Sequence, residues 1–126
     1  MSYKNFKLSE FDCRHCGANK MQHQVIDNLQ RMRDMCNFPF IISSGYRCKD
    51  HPIEAAKLTP GPHNTGWAVD IVCSHKQAVS ILVAGFDVEF FTGFGIAQRG
   101  DIDTRFIHLD ACDVAPNRPR PHLFSY

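Results

Sequence analysis

Residues 1–11 contain no apolar core of signal-peptide length and no small-residue cleavage site. Nor does any later run approach the ~20 apolar residues that a membrane helix needs. Neither sign of charge dominates: 14 Lys and Arg stand against 13 Asp and Glu, a formal net charge of +1. That balance argues against a broad nucleic-acid footprint and against electrostatic attachment to a membrane. Internal repeats and low-complexity tracts are absent too. What remains is ordinary globular usage, 44% hydrophobic and 21% charged. At 126 residues, one domain over 1–126 with a single core is expected. The expectation is a monomer made in the cytoplasm without a signal peptide, with no nucleic-acid partner and no membrane span.

Apolar Met21, Val25, Leu29, Met32 and Cys36 recur at helical spacing, which predicts an amphipathic helix over 21–36. Asn37 and Pro39 end it. Residues 40–43 read as a short strand, and 50–56 as a turn or short helix. In 67–73, side chains alternate, with Trp67, Val69, Ile71 and Cys73 on one face and Ala68, Asp70 and Val72 on the other. Ser74, with Gln77 at the capping-box position, predicts a second helix that stops near Gly85. A strand with glycine bends is expected over 91–98, and another alternating strand over 105–110. The stretch 116–121 is too proline-rich for regular structure, and His122 is read as structural. Together these elements predict an α+β fold: a small, mainly antiparallel sheet with helices packed on one side and a zinc cleft on the other.

The reason to expect zinc is Asp70. A carboxylate in the middle of so apolar a strand is costly to bury unless something pairs with it, and a metal ion is one such partner. His63 sits in the loop that feeds Asp70's strand, after Thr59-Pro60-Gly61-Pro62, whose prolines and glycine limit its conformations. Catalytic zinc usually has three protein ligands and one open position. His108 is the best third candidate, on a strand where Phe106, His108 and Asp110 face the same way.

Several of these residues carry a family resemblance. His63-x6-Asp70 followed far downstream by a strand histidine resembles the zinc peptidases of the M15 group, which include D-alanyl-D-alanine carboxypeptidases and phage endolysins, with the hedgehog domain as a relative. Ser44-Gly45-Tyr46-Arg47 resembles the group's S-G-Y-R segment, and Phe106-Ile107-His108-Leu109-Asp110 resembles the F-[VI]-H-[VIL]-D segment of its short, phage-type branch. Phe124-Ser125-Tyr126 is similar to that branch's aromatic C-terminal end. The resemblance runs from about residue 11 onward.

The resemblance implies a metallopeptidase acting on peptidoglycan stem peptides or crosslinks, as carboxypeptidase or endopeptidase, of phage or prophage origin. Such an enzyme would reach the cell wall through a holin, a virion or lysis. It also implies zinc held by His63, Asp70 and His108, and substrate binding by Ser44, Tyr46 and Arg47. The planar guanidinium of Arg47 suits a substrate carboxylate or a developing oxyanion. In one respect the chain departs from the family pattern. Many members place an acidic residue three positions before the last histidine, where this chain has Arg105. Asp110 is therefore the expected general base, with support of a ligand histidine as its other reading, and Asp103 and Asp101 are the alternatives. The rival function is a non-catalytic zinc-binding module or virion protein that binds cell wall or a protein partner.

Six cysteines are many for a cytosolic enzyme but do not demand a disulfide scaffold. Cys13-Arg14-His15-Cys16-Gly17 could be half of a zinc knuckle, a redox pair or two packed thiols, and Cys48 could join it in space. Phage-type members of the resembled branch carry cysteines at similar places, which implies a structural role. Cys36, Cys73 and Cys112 read as small apolar residues.

Overall fold

The computed structural model describes residues 3–126. Helix α1 (His23–Cys36) buries Val25, Ile26, Leu29 and Met32 along one stripe. It ends where Asn37 turns left-handed (φ 58°) and donates its N–H to the Arg33 carbonyl. Five strands follow: β1 (Ile41–Ser44), β2 (Ala68–Val72), β3 (Gly93–Ala97), β4 (Phe106–Asp110) and β5 (His122–Ser125). Between them lie α2 (Pro52–Ala55) and α3 (His75–Asp87).

The strands form one sheet in the order β1-β2-β4-β3-β5. Every neighbouring pair is antiparallel except β3 and β5, which run parallel. Strand alternation then divides the sheet. Val69 and Ile71 of β2 and Ile107 and Leu109 of β4 are fully buried and join a single hydrophobic core with the apolar stripes of α1 and α3. The other face carries Asp70, His108 and Asp110. The α+β expectation is therefore met, with α1 and α3 on one side of the sheet and the candidate metal ligands, with the short α2 beside them, on the other.

Two local expectations need correction. Ser74 does stand at the N-cap of α3, but its side chain makes no capping hydrogen bond. The helix ends at Asp87, near the expected stop, and Gly85 lies within its last turn. A Cβ there would lie 3.4 Å from both Leu109 Cδ2 and Phe94 Cε1, so the glycine lets α3 settle closely on the sheet. Finally, β5 forms an edge strand directly after the proline-rich stretch, where no strand was expected.

Gly93 and Gly95 likewise make space and are not bends. Gly95 pairs with His108 on one side and Phe124 on the other, and a Cβ on it would fall 2.6 Å from the Phe124 ring. Gly93 pairs with Asp110, and a Cβ there would overlap the Asp110 carboxylate. Both glycines open the face that bears His108 and Asp110. Among the described residues, no helix is long and apolar enough to cross a membrane.

Candidate metal centre

One row of the sheet organises the site. Ser44 pairs with Asp70, Asp70 with His108, His108 with Gly95, and Gly95 with Phe124. The first pairing depends on an irregularity between Ile42 and Ser44, which brings Ser44 opposite Asp70 where uninterrupted pairing would have brought Ser43. His63 reaches the row from outside the sheet, on a 3-10 turn (Pro62–Thr65) just before β2. That turn is pinned at several points. Gly61 donates its N–H to the buried Glu54 carboxylate at 2.7 Å, and the Arg47 N–H bonds the His63 carbonyl at 3.1 Å. Gly66 ends the turn at φ 81°, a left-handed conformation that glycine adopts without strain.

The three side chains are nearly inaccessible, and one atom of each converges with the others. His63 Nε2 lies 3.1 Å and His108 Nδ1 2.9 Å from Asp70 Oδ1, and the two nitrogens are 3.2 Å apart. A tetrahedral zinc with bonds of about 2.0–2.1 Å has ligand–ligand edges of about 3.3 Å. The observed spacings are close to that. The outer nitrogen of each ring explains the inner one. His63 Nδ1 is 2.8 Å from the Gly45 carbonyl, which can only accept, so that nitrogen carries the proton and Nε2 turns a lone pair inward. His108 Nε2 donates to Asp110 Oδ2 at 2.7 Å, leaving Nδ1 to face the cluster. This donor set of two imidazoles and a carboxylate, with both tautomers fixed from behind, fits a three-ligand metal site.

Electrostatics follow from the same contacts. Burial alone would raise the Asp70 pKa, but in metal-free protein the imidazoles of His63 and His108, where they take up a second proton, hold it well below the usual carboxylate range. Asp110 is also buried, and His108 and Arg120 hold it low. For His108, burial pulls the imidazole down, yet Asp110 and Asp70 outweigh it and raise the pKa.

Arg120 gives Asp110 its second partner. Its Nε and Nη2 reach the two carboxylate oxygens at 2.9 and 2.7 Å, while the Cys112 N–H adds a bond to Oδ1 at 3.2 Å. Asp110 therefore sits behind His108, on the ring nitrogen that faces away from the cluster. Arg47 stands on the other flank. Its Nε donates to Ser44 Oγ at 3.0 Å, and its terminal nitrogens lie 3.4 Å from Asp70 and 3.5 Å from Glu54. Both Ser44 and Arg47 line a cleft of about 540 Å³ that includes the three candidate ligands, with Phe106, Phe124 and Tyr126 also in its lining. Tyr46 does not join them. Its N–H bonds the Phe11 carbonyl and its side chain is buried in the hydrophobic core. Asp101 and Asp103 are exposed at and beside the 3-10 turn Ile102–Thr104, whose Thr104 lines the cleft.

The peptidase M15 model matches residues 2–110. The chain belongs to the peptidase M15 family. No curated protein matches it significantly. Peptidases of the M15 family depend on metal, and the converging His63, Asp70 and His108 give this member a candidate ligand set. The M15 match stops at Asp110, so Arg120, Phe124 and Tyr126 reach the site from outside the matched residues.

Sequence reasoning missed Glu54, Arg120, the Gly45 carbonyl and the space-making glycines. Glu54 sat in an unremarkable short helix, and Arg120 in a proline-rich stretch set aside as irregular. Only the ring-facing alternation of Gly93 and Gly95 with Phe94 and Ile96 could have signalled an open face.

Proposed function

We propose that this protein is a zinc-dependent peptidase that hydrolyses peptide bonds of bacterial peptidoglycan. The observation that carries the reading is the buried convergence of His63 Nε2, Asp70 Oδ1 and His108 Nδ1 in the lining of a cleft. When bound, zinc supplies Lewis acidity toward a carbonyl and acidifies water at neutral pH. The chain's own residues do the rest. Gly45 and Asp110 hold the two imidazoles in the tautomers that offer lone pairs to the cluster. Ser44 and Glu54 hold the Arg47 guanidinium at the cleft, where it can meet a substrate carboxylate or the charge that develops on a carbonyl oxygen.

Asp110 belongs to the orienting set in this proposal and not to proton transfer. Both of its oxygens are engaged, and the ring of His108 stands between it and the ligand atoms. Proton acceptance passes to Asp103. It adjoins the cleft-lining Thr104, and among the described residues its carboxylate has no hydrogen-bonding or ionic partner.

Family membership supports peptidoglycan as the substrate class, and the resemblance to the short, phage-type branch supports a phage or prophage origin. The test is mass spectrometry of purified peptidoglycan incubated with the zinc-loaded protein. Stem peptides shortened by one residue would identify a carboxypeptidase, and opened crosslinks an endopeptidase. Intact fragments with zinc bound would instead favour the non-catalytic module.

A further inference from the structure

The peptidase reading leaves one cluster of metal-ligating side chains unused. Cys13, Cys16 and Cys48 bring their three sulfurs within 4.8 Å of one another, although the third is 35 residues distant from the first in sequence. Cys13 is buried, Cys48 half-buried and Cys16 exposed. All three are free thiols.

Two tight turns build the cluster. In the first, Gly17 takes φ 76° and returns its N–H to the Cys13 carbonyl at 2.8 Å, while the Cys13 N–H bonds the Ala18 carbonyl at 2.7 Å. This folds Cys13-x2-Cys16 so that the two sulfurs come within 4.8 Å of each other. In the second, the His51 N–H closes on the Cys48 carbonyl at 3.1 Å, just after the segment that carries Arg47. A backbone amide of the second turn meets the first: the Cys48 N–H lies 3.3 Å from Cys13 Sγ. Burial pushes the Cys13 thiol up, but backbone hydrogen bonds outweigh it and bring it down to about 6, whereas burial and hydrogen bonds with the other two thiols push Cys48 up. Amide donors around a sulfur favour its charged form, which is the form that binds metal.

We propose that Cys13, Cys16 and Cys48 form a second metal site, a structural one for zinc. Tetrahedral zinc–thiolate bonds of about 2.3 Å imply sulfur–sulfur edges of about 3.8 Å, and the three sulfurs all lie within 4.8 Å of one another. A disulfide would join two of these sulfurs and strand the third among the amides, so it accounts for less of the arrangement. Three thiolates leave one coordination position. His15 and His51, whose rings meet at 6.2 Å, are the imidazoles on the same two turns.

The site ties the N-terminal segment to the segment that positions the candidate active site. Phe11 abuts Gly45 so closely that a Cβ there would fall 2.6 Å from the Phe11 carbonyl oxygen. Gly45 in turn holds His63 through its own carbonyl. A metal at the cysteines would therefore lock the backbone that sets His63 and Arg47.

The experiment is cobalt replacement followed by absorption spectroscopy, on reduced full-length protein prepared without oxygen. Cobalt bound to thiolate gives an intense sulfur-to-metal charge-transfer band that a His, Asp, His site cannot give. The band is expected in the wild-type protein and in His108→Ala, and is expected to vanish in Cys48→Ala. Elemental analysis should find about two zinc ions per wild-type chain and about one in either variant. Absence of the band from the wild-type protein would overturn the proposal, and that measurement needs no variant to fold. Cobalt bound without the band would leave the His63, Asp70 and His108 site intact, so the two assignments fail separately. A Cys13–Cys16, Cys13–Cys48 or Cys16–Cys48 disulfide that survives the reduction step and remains in the protein before cobalt is added would also overturn it.

Discussion

Arg120 and Asp110 form a two-pronged ion pair, at 2.9 and 2.7 Å, in which the Asp110 carboxylate is fully buried. The same Asp110 oxygen that meets Arg120 Nη2 accepts the His108 ring N–H. Arg120 thus acts on a metal-facing nitrogen through two intermediaries. Loss of such support typically costs 10–100-fold in metal affinity. Asp110→Asn and Arg120→Lys are both expected to weaken zinc binding by about that factor, as read by competition with a chelating dye. If Asp110→Asn keeps its affinity for zinc and loses only kcat, the carboxylate takes part in proton transfer and the orienting role is wrong.

For the ligands themselves the expectation is stricter. His63→Ala, Asp70→Ala and His108→Ala should each lose the metal of this site together with hydrolysis. Elemental analysis alongside a stem-peptide assay checks this, and an active variant without metal would refute the assignment.

Much of this was legible in the sequence because strand alternation is rigid: once residues 67–73 and 105–110 were read as strands, Asp70, His108 and Asp110 had to face the same way. Sequence alone could not supply register. That Asp70 stands directly opposite His108, and Ser44 opposite Asp70, depends on hydrogen bonding between strands distant along the chain and on an irregularity in β1. Arg120 was illegible for a related reason. Its partner is ten residues away across an irregular segment, and no periodic pattern links them. The placement of Tyr46 in the core was illegible too, because proximity in a motif says nothing about which side of the backbone a ring will take after a strand ends.

Arg47→Lys keeps a positive charge beside Asp70 and Glu54 but loses the fork. The melting temperature should move little, while kcat/KM falls by about 10²-fold, the scale for losing one donor to a developing oxyanion. A large fall in melting temperature with unchanged kinetics would make Arg47 a structural residue.

Proton acceptance is tested by Asp103→Asn, which should retain zinc and lose roughly 10²-fold or more in kcat. Zinc retention with undiminished turnover would remove Asp103 from the mechanism.

In metal-free protein, pH should act with two opposite signs. Asp70 and Asp110 have depressed pKa values, so their contribution is present above about pH 4 and is lost as pH falls below it. His108 has a raised pKa, so its contribution is full below about pH 6.5 and fades as pH rises through its folded value. The metal-free protein should therefore be most stable in mildly acidic solution. Zinc competes with the His108 proton, so loading should shift that optimum upward. Thermal melts across pH, with and without chelator, read both; an unshifted optimum would show that His108 does not exchange a proton for metal.

The position of Arg120 downstream of every ligand also sets an order of events during synthesis. His63, Asp70 and His108 leave the ribosome before the guanidinium that steadies Asp110, and before the strand that brings Phe124 across Gly95. A chain ending just beyond β4 would already own its three donors while the His108 ring still lacked its clamp. Metal held by such a chain should exchange freely, and tight retention should begin only when β5 docks. Zinc release from purified chains truncated at successive C-terminal positions should show a step near residue 125 if this order holds, and a step at His108 if it does not.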